Sequence, residues 1–284
     1  MYLESFPLHK KLLIKGNRAI YNVRSFGRPN ESRAKGGNDN MELSENEQKR
    51  YTRQMMMEGW GEETQKKLKK SKVFIAGAGG LGSPVAIYLA VAGVGNINIC
   101  DFDSPDWSNL NRQILHDHTR IGTNKAVSGK MTLERLNPDI KVKAITDKIV
   151  EENVDRLVGD ADIILDCMDN FPTRYILNES AIRKKIPLVY GSIWGIDGRL
   201  SFIQSPETPC LRCIFTEAPP KEVFPVLGAT PAVIGSLQAL EAVKFLTGIG
   251  TTIKGQLLVW EGGTTDFQKF KIRKDPGCPT CGGK

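Results

Sequence analysis

A chain of 284 residues, 40% hydrophobic and 25% charged, holds enough material for one large α/β domain or two smaller ones. No stretch approaches the roughly 20 apolar residues of a membrane span, so a soluble protein with no membrane partner is expected. The net charge of +7 divides unevenly, +5 over residues 1–40 and +2 over the rest, so no broad basic face is required and nucleic acid is not expected as a partner.

Residues 1–40 read as a basic, disordered extension, with a targeting segment as the alternative. Met41 is a candidate start for the folded unit, 41–284. Ser44, with Glu47 three residues on, spells a capping box for a helix carrying Arg50, Tyr51, Arg53 and Gln54. A second helix, Glu62 to Lys70, leads into the first strand of the core. Val73 to Ala76 is a short apolar run of parallel-strand type, followed by Gly77-Ala78-Gly79-Gly80-Leu81-Gly82. The glycines allow a tight turn and close backbone approach to a ligand. Ser83 is the expected cap of the next helix and Pro84 a first-turn residue. Free N–H groups at that helix end favour a phosphate. Asn96 to Cys100 is the second strand. Asp101, roughly 20 residues beyond the glycines, suits a ribose hydroxyl. Together these features point to an adenine nucleotide, and taken alone they fit an oxidoreductase as well.

Asp101 to His116 forms a long polar loop with Asp103, Ser108, Asn109, Asn111, Arg112 and Gln113. Such a loop inside an α/β unit is usually functional. Thr123 is the expected cap of a helix running to about Asn137. Lys125 falls in its first turn, where a cation opposes the helix dipole, so it suits a ligand better than the helix. Ile140 to Ile145 alternates as a strand, and Val154 to Leu157 belongs to a short helix. Asp162 to Leu165 is a buried strand ending in Asp166-Cys167-Met168-Asp169-Asn170. Asp169 and Asn170 thus lie at a strand's carboxyl end, as Gly77 and Asp101 do, and ligands of open α/β sheets bind there. Pro187 to Tyr190 is a further strand. From Gly198 onward strands are joined by turns, at Leu200–Ile203, Leu257–Trp260 and Phe267–Ile272. An apolar helix opens at Thr230-Pro231 and ends at Gly248. The fold class expected is α/β, a Rossmann-like mixed sheet, parallel in the N-terminal half and antiparallel in the C-terminal half.

Three cations, Arg53, Arg112 and Lys125, and the carboxylate of Asp169 lie in separate polar segments around the nucleotide unit. A dinucleotide needs only helix N–H groups for its pyrophosphate. A triphosphate that loses pyrophosphate needs several cations and Mg²⁺. The six cysteines include two CxxC pairs, Cys210/Cys213 and Cys278/Cys281, whose four thiolates suit a closed structural zinc site. Cys100 and Cys167 end apolar strands and read as small buried hydrophobes. His116 reads as a loop or packing residue.

Arg50-Tyr51-Thr52-Arg53-Gln54, the glycine loop, Asp101-Phe102-Asp103, Ser108-Asn109-Leu110-Asn111-Arg112-Gln113, Asp166 to Asn170 and the two CxxC pairs form an ordered series. With it, roughly residues 43–284 resemble the ThiF/MoeB/HesA family of adenylyltransferases, related to ubiquitin-activating enzymes. The resemblance implies ATP-dependent adenylation of the C-terminal glycine carboxylate of a small ubiquitin-like sulfur-carrier protein of MoaD or ThiS type. That would take place in the cytoplasm, with release of pyrophosphate, in a pathway such as molybdopterin or thiamine biosynthesis. It implies that Gly77, Gly79, Gly80 and Gly82 face the nucleotide and that Asp101 holds the ribose. Asp103, Ser108, Leu110, Asn111 and Gln113 belong to the same matching stretches. Asn109, Arg112 and Lys125 would contact the phosphates, and Asp169 would bind Mg²⁺ with Asn170 beside it. Arg53 would reach the phosphates of a neighbouring subunit, which implies a homodimer. ATP, Mg²⁺ and Zn²⁺ are the cofactors implied, and a sulfur-donor protein is a further partner. One departure matters. Many relatives carry a cysteine in the loop before the Thr230 helix, whereas Pro219 to Pro225 contains none. Adenylation without a covalent enzyme–sulfur intermediate is therefore expected. The alternatives are an adenylating tRNA-modification dehydratase of the same superfamily and a non-catalytic scaffold subunit.

Overall fold

The computed structural model describes residues 10–15, 18–23, 42–218 and 225–282. Met41, most of 1–40, the loop 219–224 and Gly283-Lys284 lie outside the described residues. The chain divides into two compact units, Met1–Asp39 and Asn40–Lys284. In the first, strands β1 (Lys10–Lys15) and β2 (Arg18–Val23) pair antiparallel, with Lys10 opposite Val23 and Lys15 opposite Arg18.

The strands of the second unit are β3 (Lys72–Ala76), β4 (Asn96–Cys100), β5 (Lys141–Ile145), β6 (Ile163–Asp166), β7 (Leu188–Trp194), β8 (Asp197–Ile203), β9 (Gln256–Glu261) and β10 (Asp266–Lys271). They form one sheet in the order β10-β9-β8-β7-β6-β3-β4-β5. The β7-β6-β3-β4-β5 half is parallel, and β7 to β10 are joined antiparallel. This is the mixed sheet expected from the change of pattern along the chain.

Both faces of the parallel half are covered, which is why β3 is apolar at consecutive positions. Val73 and Ile75 point into one core with Val85, Leu89 and Ile234, while Phe74 and Ala76 point into the other with Ile164, Leu177 and Tyr190. The first core is covered by α3 (Gly82–Ala92) and α8 (Ala229–Thr247), the second by α5 (Val154–Val158) and α6 (Phe171–Lys184). The remaining helices are α1 (Glu45–Met55), α2 (Gly61–Lys70), α4 (Lys125–Leu136) and the short α7 (Leu211–Ile214). The Ser44/Glu47 capping box forms as the spacing predicts.

Two expected caps are corrected. Helix α3 begins at Gly82, with the helical backbone of Leu81 before it, so Ser83 is inside the first turn. Its hydroxyl donates to the Gly79 carbonyl at 2.7 Å and accepts from the Leu115 N–H at 3.3 Å. Helix α4 is capped by Asn124, not Thr123, because Asn124 Oδ1 accepts from the N–H groups of both Ala126 and Val127. Strand β7 also runs past Tyr190 to Trp194, since Gly191 sits inside its pairing with β8.

Candidate nucleotide site and metal centre

The carboxyl ends of β3, β4 and β6 meet at one place. The Gly77 N–H donates to the Cys100 carbonyl at 2.8 Å, and the Cys167 N–H donates to the Ala76 carbonyl at 2.9 Å. This interleaving brings the glycine loop, Asp101 and the Asp166–Asn170 turn side by side. Gly77 has φ +98°, and a Cβ there would lie 2.7 Å from the Cys167 carbonyl oxygen, so the crossing admits no side chain. Gly82 packs on the Gly77 carbonyl, Gly79 faces Gln113, and Gly80 faces Pro231 and Arg112.

Asp101 closes over the loop. One of its carboxylate oxygens accepts from the Ala78 N–H at 2.8 Å and the other from the Asp103 N–H at 2.9 Å. Burial pushes its pKa up, and these two N–H groups and the nearby Lys125 pull it back down without cancelling the rise. Each oxygen keeps a lone pair with which a hydroxyl can bond. The cap of α4 is tied to the same place, because Asn124 Nδ2 donates to the carbonyls of Asp101 and Asp103. Lys125 is consequently buried, its N–H bonded to the Asp103 carbonyl at 2.7 Å and its ammonium 3.8 Å from the Asp103 carboxylate. The lysine tail is buried and its head ends beside an exposed carboxylate, at the mouth of the site.

The polar loop is more regular than its composition predicts. Trp107–Asn109 forms one 3-10 turn, capped by Asp106. Arg112 folds over it and donates from Nη1 to the Ser108 carbonyl at 2.8 Å and to Asn111 Oδ1 at 2.9 Å. Asn109 accepts from the Asp106 N–H, Leu110 is half-buried, and Asn111 is exposed. Gln113 is buried, and its Oε1 has no hydrogen-bond partner among the described residues. His116 packs beneath the loop. Its Nε2 lies 2.9 Å from the Ala78 carbonyl and its Nδ1 2.9 Å from the Ser128 hydroxyl. Burial lowers its pKa, so the neutral ring donates to Ala78 and accepts from Ser128.

From β6, Asp169 is exposed and accepts from Asn170 Nδ2 at 3.3 Å. Asn170 is the N-cap of α6, bonded to the Thr173 N–H at 3.0 Å. Arg53 stands apart. It is exposed near the end of α1 and, among the described residues, shares no hydrogen bond or ion pair with the other candidates. Three buried residues that are not candidate ligands support this turn: Asp166, Arg174 and Gln238. Asp166 opens a stretch the sequence already marked, but the pattern hides the other two, because a glutamine inside an apolar helix and an arginine one turn into α6 look like ordinary surface residues.

The four paired cysteines converge as their spacing predicts. Their Sγ atoms all lie within 4.8 Å of one another, with Cys210 to Cys278 at 3.6 Å and Cys213 to Cys281 at 3.4 Å. A tetrahedron of thiolates on zinc has S···S edges of roughly 3.8 Å, so the cluster could bind zinc. Cys100 and Cys167 are buried, 1% and 7% exposed.

Comparison with known proteins gives a consistent set. A family model described as the ThiF family matches residues 51–280. A sulfur carrier protein adenylyltransferase of Thermus thermophilus is 39% identical over 253 residues, covering 85% of this chain and 93% of that one. The protein HesA of Leptolyngbya boryana is 39% identical over 244 residues, covering 85% and 88%. The adenylyltransferase and sulfurtransferase MOCS3 of Drosophila sechellia is 39% identical over 259 residues, of which this chain spans 89% of its own length and 57% of the fly protein's. Among solved structures, MccB of E. coli with MccA-N7isoASN superposes with a TM-score of 0.74 at 24% identity, over 82% of this chain and 75% of that one, which shows a shared fold. By the family match and by relatives that it covers almost end to end, the chain belongs to the ThiF family.

Proposed function

We propose that this chain is an ATP-dependent adenylyltransferase acting on the C-terminal glycine carboxylate of a small ubiquitin-like sulfur-carrier protein of MoaD or ThiS type, and that it works as a cytoplasmic homodimer. The observation that carries this reading is the meeting of the glycine loop, Asp101, Lys125 and the Asp169 turn at three adjacent strand ends. The relatives named as adenylyltransferases support it.

The reaction joins two anions, so the site must neutralise charge and hold them in line. The carrier's carboxylate oxygen attacks the α-phosphorus, and the bond from that phosphorus to the bridging oxygen breaks. The products are acyl-adenylate and pyrophosphate. In this reading the Gly79-Gly80 backbone and the positive end of the α3 dipole receive the phosphates, although the Ser83 N–H of that turn is already bonded to the Gly79 carbonyl at 2.9 Å. Asp101 accepts from the ribose. Asn109, Arg112 and Lys125 hold the phosphate oxygens, and Arg53 does so from the other subunit of the dimer. Asp169, exposed and bonded only weakly to Asn170, suits a cation that keeps most of its ligands from phosphate and water. Mg²⁺ there would offset charge on the phosphates. The four-cysteine cluster takes Zn²⁺ in a structural role, and a reducing compartment suits its thiolates. No cysteine is placed for covalent chemistry, since two are buried in the core and four are clustered, so a separate sulfur donor attacks the adenylate.

ATP–pyrophosphate exchange with candidate carriers ending in Gly-Gly tests the proposal. Exchange with one of them is expected. Asp169→Ala should lower it at least 100-fold while leaving the fold intact, in line with the loss of one charge-stabilising group. Tight nucleotide binding with no exchange would favour a scaffold subunit, and exchange driven by tRNA would favour the dehydratase.

A further inference from the structure

The turn that carries Asp169 is fixed from below by a buried ion pair between Asp166 and Arg174. Asp166 ends β6 fully buried, and its Oδ1 accepts from the Met168 N–H at 3.1 Å. Its Oδ2 is buried with no hydrogen-bond partner among the described residues. The guanidinium of Arg174, 4% exposed, lies with Nε 3.9 Å from Asp166 Oδ1. Arg174 donates from Nε and Nη2 to the Met168 carbonyl and from Nη2 to the Gly191 carbonyl at 3.0 Å. Its Cζ lies over the rings of Phe171 and Tyr190, 5.2 and 4.9 Å from their centroids. From the other core, Gln238 of α8 donates to the carbonyls of Asp166 and Val189 at 2.8 and 2.9 Å.

Burying a charge pair is costly, and an apolar residue would fill the same space more cheaply. What a guanidinium adds is a rigid planar fork, here closed on one carbonyl from the turn after β6 and one from β7. One of those carbonyls belongs to the peptide bond that precedes Asp169. On its other side Asp169 is followed by Asn170, fixed as the cap of α6. The exposed carboxylate therefore sits on a backbone pinned at both neighbours.

We propose that Arg174, held by Asp166, is a positioning residue that sets the Asp169 carboxylate for the divalent cation bound with ATP. The inference rests on Asp169 holding that cation. ATP binding to the full chain, titrated with Mg²⁺ and repeated in EDTA, tests it. Arg174→Lys keeps the charge but not the fork. It should raise the Mg²⁺ concentration for half-maximal ATP binding at least fivefold and leave ATP affinity in EDTA within twofold. A purely structural role would lower the melting temperature and leave that midpoint unmoved, and a midpoint within twofold of the parent overturns the proposal. Should Arg174→Lys not fold, the double variant Asp166→Asn with Arg174→Gln removes both buried charges together and must show the same shift. Asp169→Asn in the same titration separates the two ideas. If it shifts the midpoint and the Arg174 variants do not, the positioning role fails alone. If Asp169→Asn leaves the midpoint unmoved, the cation reading fails and takes this inference with it.

Discussion

Gly77 and Gly80 belong to one loop but are glycine for different reasons. At Gly77 the backbone is left-handed, φ +98°, and a Cβ would meet the Cys167 carbonyl oxygen at 2.7 Å. Gly77→Ala therefore strains the backbone and pushes apart the β3 and β6 ends, costing about 2 kcal/mol or more of stability. At Gly80 φ is not left-handed, and a Cβ would stand 3.2 Å from Pro231 Cγ and 3.5 Å from Arg112 Cγ. Gly80→Ala should fold with a melting temperature within a few degrees of the parent, yet bind ATP at least tenfold more weakly. Urea unfolding and ATP titration of the two variants check this. A Gly80→Ala protein with unchanged affinity would mean that the nucleotide does not approach this edge of the loop. The glycines were legible in the sequence because a run of them after an apolar strand has few other meanings. The difference between them was not, because it depends on β6 and α8, which lie far along the chain. Arg174 and Gln238 were illegible for the same reason: their bonding partners are backbone carbonyls, which carry no sequence signal.

At the level of elements, the start of α1 is held by more than its capping box. Glu47 accepts from the Ser44 N–H at 2.8 Å and from the Lys69 ammonium of α2 at 2.7 Å, while Ser44 Oγ accepts from the Glu47 N–H. Burial pushes the Glu47 pKa up, but Lys69 and Ser44 outweigh it and the net value falls below the ordinary 4.5. A carboxylate whose pKa is lowered on folding adds stability above about 4.5, and that stability is lost as pH falls through the lower folded value. Glu47→Ala should thus cost about 1–2 kcal/mol at pH 7. In urea unfolding the gap to the parent should narrow as pH is lowered toward 3, and a gap that stays constant would deny the ion pair any part in it. The box itself was legible from Ser44 and Glu47, whereas Lys69 was not, because it comes from the next helix. The caps of α3 and α4 show the limit of reading by residue type. Ser83 and Thr123 are both good cap formers, but the turn before α3 is set by Gly82 packing on the Gly77 carbonyl, and Asn124 serves the α4 end and the β4 loop at once.

Across the whole second unit, the two ends of the sheet are protected differently. Strand β5 carries exposed Lys141 and Lys143 at its edge, a charge pattern that discourages pairing with another chain. Strand β10 is exposed along its full length and, among the described residues, is paired only with β9. Just beyond it the Ile272 N–H bonds to the Gly255 carbonyl at 2.9 Å, and further on the chain meets the cysteine cluster, in which Cys278 and Cys281 lie against Cys210 and Cys213 across 68 residues of sequence. The loop at Cys210 is in turn fastened to α6 by the Leu211 N–H, which donates to Asn178 Oδ1 at 2.9 Å. A metal here would close a long loop, and binding energy at such a site is folding energy. The purified protein should carry one zinc per chain by atomic absorption. Cys281→Ser should lose it and melt on the order of 5–10 °C lower, the shift that a loss of a few kcal/mol gives in a domain of this size. Limited proteolysis should then cut between 262 and 277, where most residues are exposed and the cluster no longer anchors the tail. ATP affinity should stay within twofold, because no hydrogen bond or ion pair among the described residues joins the cluster to the glycine loop. A metal-free variant that melts with the parent and resists protease would show that β9 alone secures β10. One that also lost ATP binding would show that the cluster reaches the nucleotide site through α6, the helix whose N-cap is Asn170.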